Sequence, residues 1–379
     1  MGIRLVFACG GTAGHVNPAL AVADEIKRML PDSKILFIGA GRSIENRLVP
    51  AAGYDIVNVR ARGLYRSLSP GAVLKNAAAL CENAAASAQA DRLLREFKPD
   101  AVLGTGGYVC YPVLKRAGKL RIPTLIHESN ALPGLATRLL TSGADHILTA
   151  FPDDGRVYRA PEKVTVVGTP VRGGFSLPPR ARTAGGNGRK PRLVSVWGSL
   201  GAARMNAIMA EFIAINAGTG AFRHIHSTGG GEAGLMEMLG KLRELGVERL
   251  PDEVEVREYI EDMERVMTSA DLVICRAGAS TLAELAVAGA PALLVPSPYV
   301  ANNHQEANAR RVSSEGAADF IAERDCTARA MYDTARALLA DAPALARMSQ
   351  AMRARAAPDA AKKIAAIIIS ACRQRPDSP

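Results

Sequence analysis

The sequence predicts an α/β protein built from two Rossmann-like domains, each with a parallel β-sheet. Short aliphatic and β-branched runs alternate with amphipathic helical stretches along almost all of the 379 residues, which is the pattern of parallel strands joined by crossover helices. The length suits two domains of about 150 to 200 residues. In such sheets ligands bind beyond the carboxyl ends of the strands, so we expect the two domains to face a cleft.

Two series of strands define the proposed domains. The first series is predicted at residues 3–8, 35–40, 101–104, 124–128 and 146–150, and the second at 192–197, 223–227, 254–258, 271–275 and 291–296. Between them, the Pro-, Gly- and Arg-rich segment LPPRARTAGGNGRKP cannot build a core and is typical of a linker. We assign residues 1–172 to a first domain, 173–191 to a linker, 192–350 to a second domain and 351–379 to a C-terminal helix and tail.

The charge is distributed unequally between these domains. The chain carries a net charge of +10, yet residues 1–172 hold 22 basic and 14 acidic side chains, whereas residues 193–350 hold 14 basic and 21 acidic ones. A basic domain attracts nucleic acid, polyanionic ligands or anionic lipid headgroups. Charge alone does not choose among these partners.

Cysteine and hydropathy patterns favour a reduced, cytosolic protein. The six cysteines form no C-x-x-C pair, which is the spacing of many zinc sites and redox motifs. No signal-peptide pattern is evident, and no stretch approaches the ~20 apolar residues that span a bilayer. Any membrane contact is therefore expected to be peripheral. The sequence also lacks Asp-x-Asp, so we expect neither a metal nor another cofactor.

A glycine-rich loop follows the first predicted strand and carries a candidate base, His15. Its sequence is Gly-Gly-Thr-Ala-Gly-His at residues 10–15. Asn17 and Pro18 predict the start of a helix just after it, and the positive end of a helix favours a neutral imidazole that can accept a proton. A histidine that is merely hydrogen-bonded in a turn remains an equal alternative. The spacing does not fit G-x-G-x-x-G, which disfavours a dinucleotide-binding dehydrogenase.

Two further loops of the first half carry polar residues where strands end. One contains Gly106, Gly107 and Tyr108, and the other contains His127, Glu128 and Asn130. Polar clusters that end apolar strands point towards ligands more often than into cores. His127 and Glu128 could equally form a structural pair.

Three loops of the second half are candidates for binding a nucleotide. The segment Trp197-Gly198-Ser199-Leu200-Gly201 can cradle a diphosphate through backbone amides. The segment from Arg276 to Glu284 contains Thr281-x-x-Glu284, which is also the pattern of a capping box that closes a helix start. The segment 302–306 begins another helix and has helix capping as its alternative role.

Taken together, these loops closely resemble the MurG family, the transferases that convert lipid I to lipid II in peptidoglycan synthesis. The matching segments occur in order between about residues 3 and 325, and they are GGTAGHVNPALAVA, GTGGYVCYP, IPTLIHESNALPG, GTPVR, GSLGAARMN, DLVICRAGASTLAEL and NHQEANA. The resemblance implies the GT-B architecture, an inverting reaction, UDP-N-acetylglucosamine (UDP-GlcNAc) as donor and undecaprenyl-pyrophosphoryl-N-acetylmuramoyl-pentapeptide (lipid I) as acceptor. It also implies that the C-terminal helix crosses back to the first domain.

The resemblance assigns a role to each matching residue. His15 is the proposed general base on the muramoyl 4-hydroxyl, with Glu128 as the fallback. The acceptor side comprises Gly106, Gly107, Tyr108 and His127. The residues expected to bind UDP-GlcNAc are Thr12, Ala13, Gly14, Asn130, Arg172, Ser199, Ile260, Ala279, Ser280, Thr281, Leu282, Ala283, Glu284 and Gln305.

The chain departs from the family pattern at three places, which are Trp197 and Leu200 in the family's G-G-S-Q-G, Thr169 in G-N-P-V-R and Glu306 where a second Gln can occur. The side-chain contacts of the first loop are therefore in question.

The basic first half matches a protein that rests on the anionic inner leaflet of the cell membrane. The residues proposed for that surface are Arg60, Arg62, Leu64, Tyr65, Arg66, Leu68, Lys75, Tyr111, Lys115, Arg116 and Lys119.

The predicted function is transfer of N-acetylglucosamine to lipid I at the cytoplasmic face of the membrane, without nucleic acid as a partner. Two alternatives remain open at this point. One is another GT-B transferase or a UDP-sugar epimerase of similar build. The other is a catalytically silent scaffold that binds a UDP-sugar or other wall-synthesis proteins, against which the intact His15 argues.

Overall fold

The computed structural model describes residues 2–41, 44–63, 70–152, 158, 160–172, 189–198, 200–300 and 303–373, with the backbone alone for 70–78 and 80. The chain divides into two compact units. The first comprises Met1–Arg172 together with Ala357–Pro379, and the second comprises Gly173–Ala356. Most of the proposed linker, and Ser199, lie outside the described residues.

The first unit is built on a seven-stranded sheet in the order β3-β2-β1-β4-β5-β6-β7. All of its neighbouring strands pair in parallel. The strands are β1 (Arg4–Cys9), β2 (Lys34–Gly39), β3 (Asp55–Asn58), β4 (Ala101–Gly106), β5 (Thr124–Glu128), β6 (His146–Thr149) and β7 (Val164–Val166).

The second unit repeats this plan with a six-stranded parallel sheet in the order β10-β9-β8-β11-β12-β13. The prediction of two parallel-sheet α/β domains is thus confirmed. The strands are β8 (Arg192–Val196), β9 (Arg223–Ser227), β10 (Val254–Arg257), β11 (Leu272–Cys275), β12 (Ala292–Leu294) and β13 (Ala318–Phe320).

Helices connect the strands in both units. The helices of the first unit are α1 (Ala13–Met29), α2 (Glu45–Ala51), α3 (Pro70–Phe97), α4 (Cys110–Lys119), α5 (Leu135–Leu140) and, from the C-terminal segment, α13 (Ala360–Arg373). Those of the second unit are α6 (Ala203–Thr219), α7 (Gly231–Glu244), α8 (Met263–Ser269), α9 (Ala279–Ala288), α10 (His304–Ser314), α11 (Ala328–Ala340) and α12 (Ala342–Ala354).

Helix α1 begins earlier than the sequence predicts. Its N-cap is Thr12, with an extended backbone, and Pro18 lies inside the helix rather than at its first position. Pro18 has no N–H to donate to the Gly14 carbonyl, so the helix forgoes one backbone hydrogen bond in its second turn. The start predicted at Asn17 and Pro18 is therefore wrong. As a consequence, His15 lies within the first helical turn and not in the loop before it.

The C-terminal helix α13 packs against the first unit. Ile364, Ala365 and Ile368 are buried in one cluster with Val16 and Leu20 of α1. The spacing of these three α13 residues places them on one face of the helix, so burial of that apolar face holds the helix in place.

A polar cluster lies inside the second unit, between its sheet and the aromatic core. The Ser195 Oγ lies 2.8 Å from His224 Nε2 and 2.7 Å from His226 Nδ1. Burial lowers the pKa of both histidines, that of His226 to about 3. Neither ring is positioned with enough partners for a metal, because the described residues hold no group of three His, Cys, Asp or Glu side chains that could bind one. Among those residues there is also no helix long and apolar enough to cross a membrane.

Candidate active site

Strand order places the candidate loops side by side in each unit. In the first sheet, β2 and β3 lie on one side of β1, and β4 and the later strands lie on the other side. In the second sheet, β9 and β10 lie on one side of β8, and β11 and the later strands lie on the other side. These are topological switch points, where the loops after adjacent strands diverge and leave a crevice at the carboxyl edge of the sheet. The first turn of α1, which carries His15, follows the loop after β1, and Gly107 and Tyr108 follow Gly106, the last residue of β4.

The orientation of His15 is fixed by the loop that precedes α1. Its Nδ1 lies 2.9 Å from the backbone oxygen of Gly10. Because a carbonyl oxygen only accepts hydrogen bonds, Nδ1 carries the proton of the neutral ring, and Nε2 keeps its lone pair. Thr105 Oγ1 donates to the backbone oxygen of His15 at 2.7 Å. No described residue bonds to Nε2, so this nitrogen is available to accept a proton.

Two glycines let the loop after β4 approach His15 and its loop. A Cβ atom on Gly106 would lie 2.4 Å from His15 Cδ2, and one on Gly107 would lie 2.3 Å from the Gly10 oxygen. Both glycines also have positive φ angles, 123° and 91°, which other residues rarely adopt. Gly106 therefore forms the wall against which the imidazole rests, and Gly107 packs against the Gly10 carbonyl that accepts from His15.

Glu45, at the start of α2, joins this cluster although no sequence motif selects it. It is buried, and its Oε2 accepts from the Gly11 N–H at 3.2 Å while its Oε1 accepts from the Ala40 N–H at 3.1 Å. Tyr108 lies nearby, partly exposed, and its pKa is raised by desolvation and by the charge of Glu45. A lone Glu at a helix start is too common to be a sequence signal.

Glu128 organises the loop after β5. Its Oε1 accepts from the backbone and side-chain nitrogens of Asn130, both at 3.0 Å. Its Oε2 accepts from Gly134 N at 2.9 Å and Thr137 Oγ1 at 2.8 Å. The carboxylate thus fixes the side chain of Asn130 and the start of α5. With four donors around it, Glu128 is better suited to holding the loop than to accepting a substrate proton.

His127 is buried, and both of its ring nitrogens lie within bonding distance of the protein. Its Nε2 lies 2.9 Å from the Gly168 oxygen and its Nδ1 3.3 Å from Ser129 Oγ. Since Gly168 can only accept, Nε2 carries the proton and Nδ1 accepts from Ser129. Burial lowers the pKa of His127. This geometry favours the structural role that the sequence left open, although its partner is Gly168 and not Glu128.

Arg172 lies in the first unit against α1. Its Nε donates to Asp24 Oδ2 at 3.1 Å, and the other oxygen of Asp24 accepts from the Tyr54 hydroxyl at 2.8 Å. Asp24 lies about 16 Å along the helix axis from Ala13. The structure therefore does not bring Arg172 together with Thr12, Ala13 and Gly14, which flank His15 at the helix start.

In the second unit, the glycine loop after β8 packs against the loop after β9. A Cβ atom on Gly201 would lie 2.3 Å from the Thr228 oxygen, and one on Gly229 would lie 2.3 Å from the Gly201 nitrogen. Trp197 belongs to the apolar core, whereas Leu200 is 83% exposed. The unusual tryptophan therefore points into the core, and among the described residues of this loop only Leu200 presents a side chain to solvent.

The helices next to this loop begin without side-chain caps. The N-cap residues of α6 and α9 are Ala202 and Gly278, and neither makes a side-chain capping bond. The positive helix ends and their amide groups at the β8/β11 switch point suit a diphosphate. Nearby, Arg276 donates to the Val295 oxygen and, with Arg204, pairs with the buried carboxylate of Glu323.

The capping-box interpretation of Thr281 and Glu284 is wrong. Helix α9 starts at Ala279, so Glu284 lies in its second turn and cannot reach the N-cap at Gly278. Desolvation raises the pKa of Glu284 to about 7, and no described residue bonds to its carboxyl, although part of its surface is accessible to solvent. Ala279, Ser280, Thr281 and Ala283 are likewise partly exposed along these two turns, whereas Leu282 is buried.

Two further residues proposed for UDP-GlcNAc have defined orientations. The Oε1 of Gln305, in the first turn of α10, accepts from the Ser297 N–H at 2.8 Å. Its amide nitrogen therefore points elsewhere and can donate to a ligand. Ile260 follows β10 with a buried side chain, and its backbone N–H and C=O bond to no described residue. A backbone in that state can hydrogen-bond to the edge of a base.

Comparison with known proteins identifies the family. Residues 5–149 match the glycosyltransferase family 28 N-terminal domain, and residues 193–364 match the corresponding C-terminal domain. The UDP-N-acetylglucosamine–N-acetylmuramyl-(pentapeptide) pyrophosphoryl-undecaprenol N-acetylglucosamine transferase of Caldanaerobacter subterraneus is 39% identical, over 96% of this chain and 98% of its own.

Solved structures extend the comparison. The crystal structure of Acinetobacter baumannii MurG superimposes with a TM-score of 0.77 at 27% identity, covering 98% of this chain and 100% of that one. A putative UDP-N-acetylglucosamine 2-epimerase from Listeria monocytogenes has a TM-score of 0.67 at 12% identity, over 100% and 98% of the two chains, which shows a shared fold alone. The chain belongs to the MurG family of glycosyltransferases.

Proposed function

We propose that this protein transfers N-acetylglucosamine from UDP-GlcNAc to the muramoyl 4-hydroxyl of lipid I, which yields lipid II and UDP. The observation that carries the proposal is the free Nε2 of His15 at the β1/β4 switch point, in a chain 39% identical to a transferase named for this reaction. A scaffold that only binds a UDP-sugar has no need of an oriented imidazole.

The chemistry follows from the geometry of His15. The acceptor hydroxyl attacks the anomeric carbon in line and inverts it, while Nε2 removes the hydroxyl proton. The ring then becomes an imidazolium, whose Nδ1–H remains bonded to the Gly10 oxygen. Gly106 lies against the imidazole, Gly107 packs against the Gly10 carbonyl, and Tyr108 is assigned to the acceptor side. The leaving UDP is stabilised by the uncapped starts of α6 and α9 and by the glycine loop after β8.

The nucleotide is assigned to the second unit. We assign the ribose hydroxyls to Glu284, the uracil edge to the backbone of Ile260, and the transferred sugar to Gln305 and Asn130. The turn from Ala279 to Ala283, Ser199 and, in the first unit, Thr12, Ala13 and Gly14 complete the proposed donor contacts. Arg172 pairs with Asp24 in this structure, so a donor contact by Arg172 requires this pair to open. No metal or other cofactor is part of the proposal.

A simple assay separates a transferase from an epimerase. UDP-GlcNAc should be stable when it is incubated with the protein alone, and UDP should appear only when lipid I is added. Conversion of UDP-GlcNAc into another UDP-sugar without an acceptor would instead identify an epimerase, a reaction class that shares this fold.

Binding of UDP-GlcNAc should depend on the ionisation of Glu284. The carboxyl has a pKa of about 7 in the free protein, so it is mostly protonated at pH 6 and mostly ionised at pH 8. Hydroxyl groups of a ribose donate to the ionised form more strongly. We expect the affinity for UDP-GlcNAc, measured by calorimetry, to rise about tenfold from pH 6 to pH 8.

The variant Glu284→Gln should bind UDP-GlcNAc about 5- to 100-fold more weakly at pH 8 and without this pH dependence. The diphosphate of the ligand is esterified at both ends and keeps its charge across this range. Glu237→Gln, on the exposed side of α7, is the control for a lost surface charge. An identical pH slope in wild type and Glu284→Gln would exclude a contact between Glu284 and the ligand.

The first unit is also proposed to rest on the anionic cytoplasmic face of the cell membrane. Arg62 and Arg116 of the proposed surface pair with Glu82 and Asp91, whereas Lys115 and Lys119 are exposed on α4. Arg60 is exposed and Tyr111 half-buried. Leu64, Tyr65, Arg66 and Leu68, together with the side chain of Lys75, lie outside the described residues.

Binding to anionic vesicles should therefore be reversible by salt. We expect the protein to sediment with vesicles rich in phosphatidylglycerol at low salt and to be released near 1 M salt, where the Debye length falls to about 3 Å. Lys115→Glu/Lys119→Glu should weaken retention. Arg243→Glu/Arg249→Glu makes the same charge change in the second unit and should not. Equal retention on neutral vesicles would rule out electrostatic attachment.

A further inference from the structure

One peptide group joins the buried carboxylate of Glu45 to the imidazole of His15. The C=O of Gly10 and the N–H of Gly11 are the two ends of the same peptide bond. The C=O accepts from His15 Nδ1 at 2.9 Å, and the N–H donates to Glu45 Oε2 at 3.2 Å. A carboxylate, a peptide and an imidazole therefore form one continuous chain of hydrogen bonds.

Glu45, at one end of this chain of hydrogen bonds, is held rigidly by its surroundings. Glu45 is fully buried, and its second oxygen accepts from the Ala40 N–H, directly after β2, at 3.1 Å. A Cβ atom on Gly10 would lie 2.8 Å from Glu45 Oε1, and one on Gly39 would lie 2.9 Å from Glu45 Cγ. The Glu45 side chain thus packs directly against the backbone of Gly10 and Gly39, which restricts its movement.

We propose that Glu45 is a positioning residue for the transfer reaction and that it acts on His15 through the Gly10–Gly11 peptide. This inference rests on the proposed role of His15 as the base. Glu45 does not touch the substrate in this proposal. It fixes the plane of the peptide, and that plane determines where the Gly10 oxygen lies and hence which tautomer and orientation the imidazole adopts.

The chain of hydrogen bonds from Glu45 through the Gly10–Gly11 peptide to His15, called the relay below, also has an electrostatic consequence. Hydrogen bonds in a chain polarise one another, so donation from Gly11 N–H to a carboxylate makes the Gly10 oxygen a stronger acceptor. When His15 takes the hydroxyl proton, its Nδ1–H becomes part of a cation and its bond to Gly10 becomes charge-assisted. The interaction is thus stronger in the transition state than in the resting enzyme, which is the condition for a gain in rate.

A purely structural role for Glu45 predicts a different outcome. If the carboxylate only ties β2 to the loop after β1, its substitution should lower the stability of the protein. Any loss of activity should then be the same whatever the side chain at residue 15. A relay acts only if the imidazole is present. The two roles are therefore separated by measuring the same substitution with and without His15.

The test is a double-mutant cycle on the full chain with UDP-GlcNAc and lipid I. Glu45→Gln, which keeps the size but removes the charge, should lower kcat by about 10- to 100-fold and leave the KM for UDP-GlcNAc within about threefold. Glu45→Asp should retain more activity than Glu45→Gln because it keeps the carboxylate. In the His15→Ala background, Glu45→Gln should cause almost no further loss.

Asp100→Asn is the matched control. Asp100 Oδ2 accepts from Arg4 N at 2.7 Å and so ties down the opposite, amino end of β1. Asp100→Asn should at most lower the melting temperature, and it should leave kcat unchanged. The relay is overturned if Glu45→Gln leaves kcat intact or lowers it by the same factor with and without His15. If His15→Ala is itself fully active, the proposed base fails first, and the assay shows this separately.

Discussion

Replacing His15 by alanine should lower kcat for lipid II formation by about 10² to 10⁴, with little change in the affinity for UDP-GlcNAc. A general base acts on the acceptor proton in the transition state, and its contribution to the rate is of this size. The donor contacts are assigned to other residues, mainly of the second unit. The measurement is single-turnover kinetics with lipid I, combined with calorimetric binding of UDP-GlcNAc.

The control is His146→Ala. His146 lies at the amino end of β6, whereas His15 lies beyond the carboxyl ends of the strands. A structural role for His15 would instead reduce the melting temperature and disturb both substrates together. A folded His15→Ala variant with near-normal kcat would show that His15 is not the base. Glu128, the alternative from the sequence, would then be tested despite its four hydrogen bonds.

Replacing Gly106 by alanine should cost about as much activity as removing His15, even though residue 106 has no functional group. The added Cβ would lie 2.4 Å from His15 Cδ2 and 2.8 Å from its Nε2, so the ring must move away from the position in which it accepts the proton. A displacement of about 1 Å is enough to lower the rate about 10²-fold. We expect a loss of kcat of about 10² or more, with binding of UDP-GlcNAc preserved.

Gly118→Ala is the matched control for this substitution. Gly118 lies in α4, has no positive φ, and a Cβ there would have its nearest contact at 4.0 Å. It should be active. Because φ of Gly106 is 123°, a drop in melting temperature is also expected for Gly106→Ala, so kcat must be measured well below that temperature. Normal kcat in the folded variant would show that the His15 orientation seen here is not the reactive one.

The sequence predicts the central strands of both sheets well because they are buried on both faces. In residues 3–8 only Arg4, near the start, is charged, and residues 124–128 carry Leu125 and Ile126 before a polar end. Short and largely apolar runs of this kind are typical of central parallel strands. The strands that were not predicted are the short edge strands β3, β7 and β13, with three or four residues each. Half-exposed strands of this length are too short for an alternation of apolar and polar residues to be recognised in the sequence.

Helix starts were less predictable, because local capping signals compete with tertiary contacts. Asn17 and Pro18 form a good start signal, yet the loop after β1 turns into helix already at Thr12. Thr281 and Glu284 fit a capping box, but α9 begins at Ala279, directly after the loop that follows β11. In both cases the turn at the end of the strand sets the helix start and overrides the local pattern.

The candidate site was predictable where one loop holds the whole motif, and not where two loops meet. His15 and Glu284 could be selected from their own segments and their resemblance to a family. Glu45 could not, because it meets Gly11 across 34 positions of sequence. The contact exists only because β1 and β2 are neighbours in the sheet, so their carboxyl ends bring the two loops together.

The most direct test of the proposed function is incubation of the purified protein with radiolabelled UDP-GlcNAc and lipid I. We expect label to appear in a lipid-linked disaccharide with a β-1,4 bond, in an amount equal to the UDP released. His15→Ala should greatly slow this transfer while still binding the donor. Release of UDP without labelled lipid, or transfer at the same rate by His15→Ala, would contradict the proposed reaction or its proposed base, respectively.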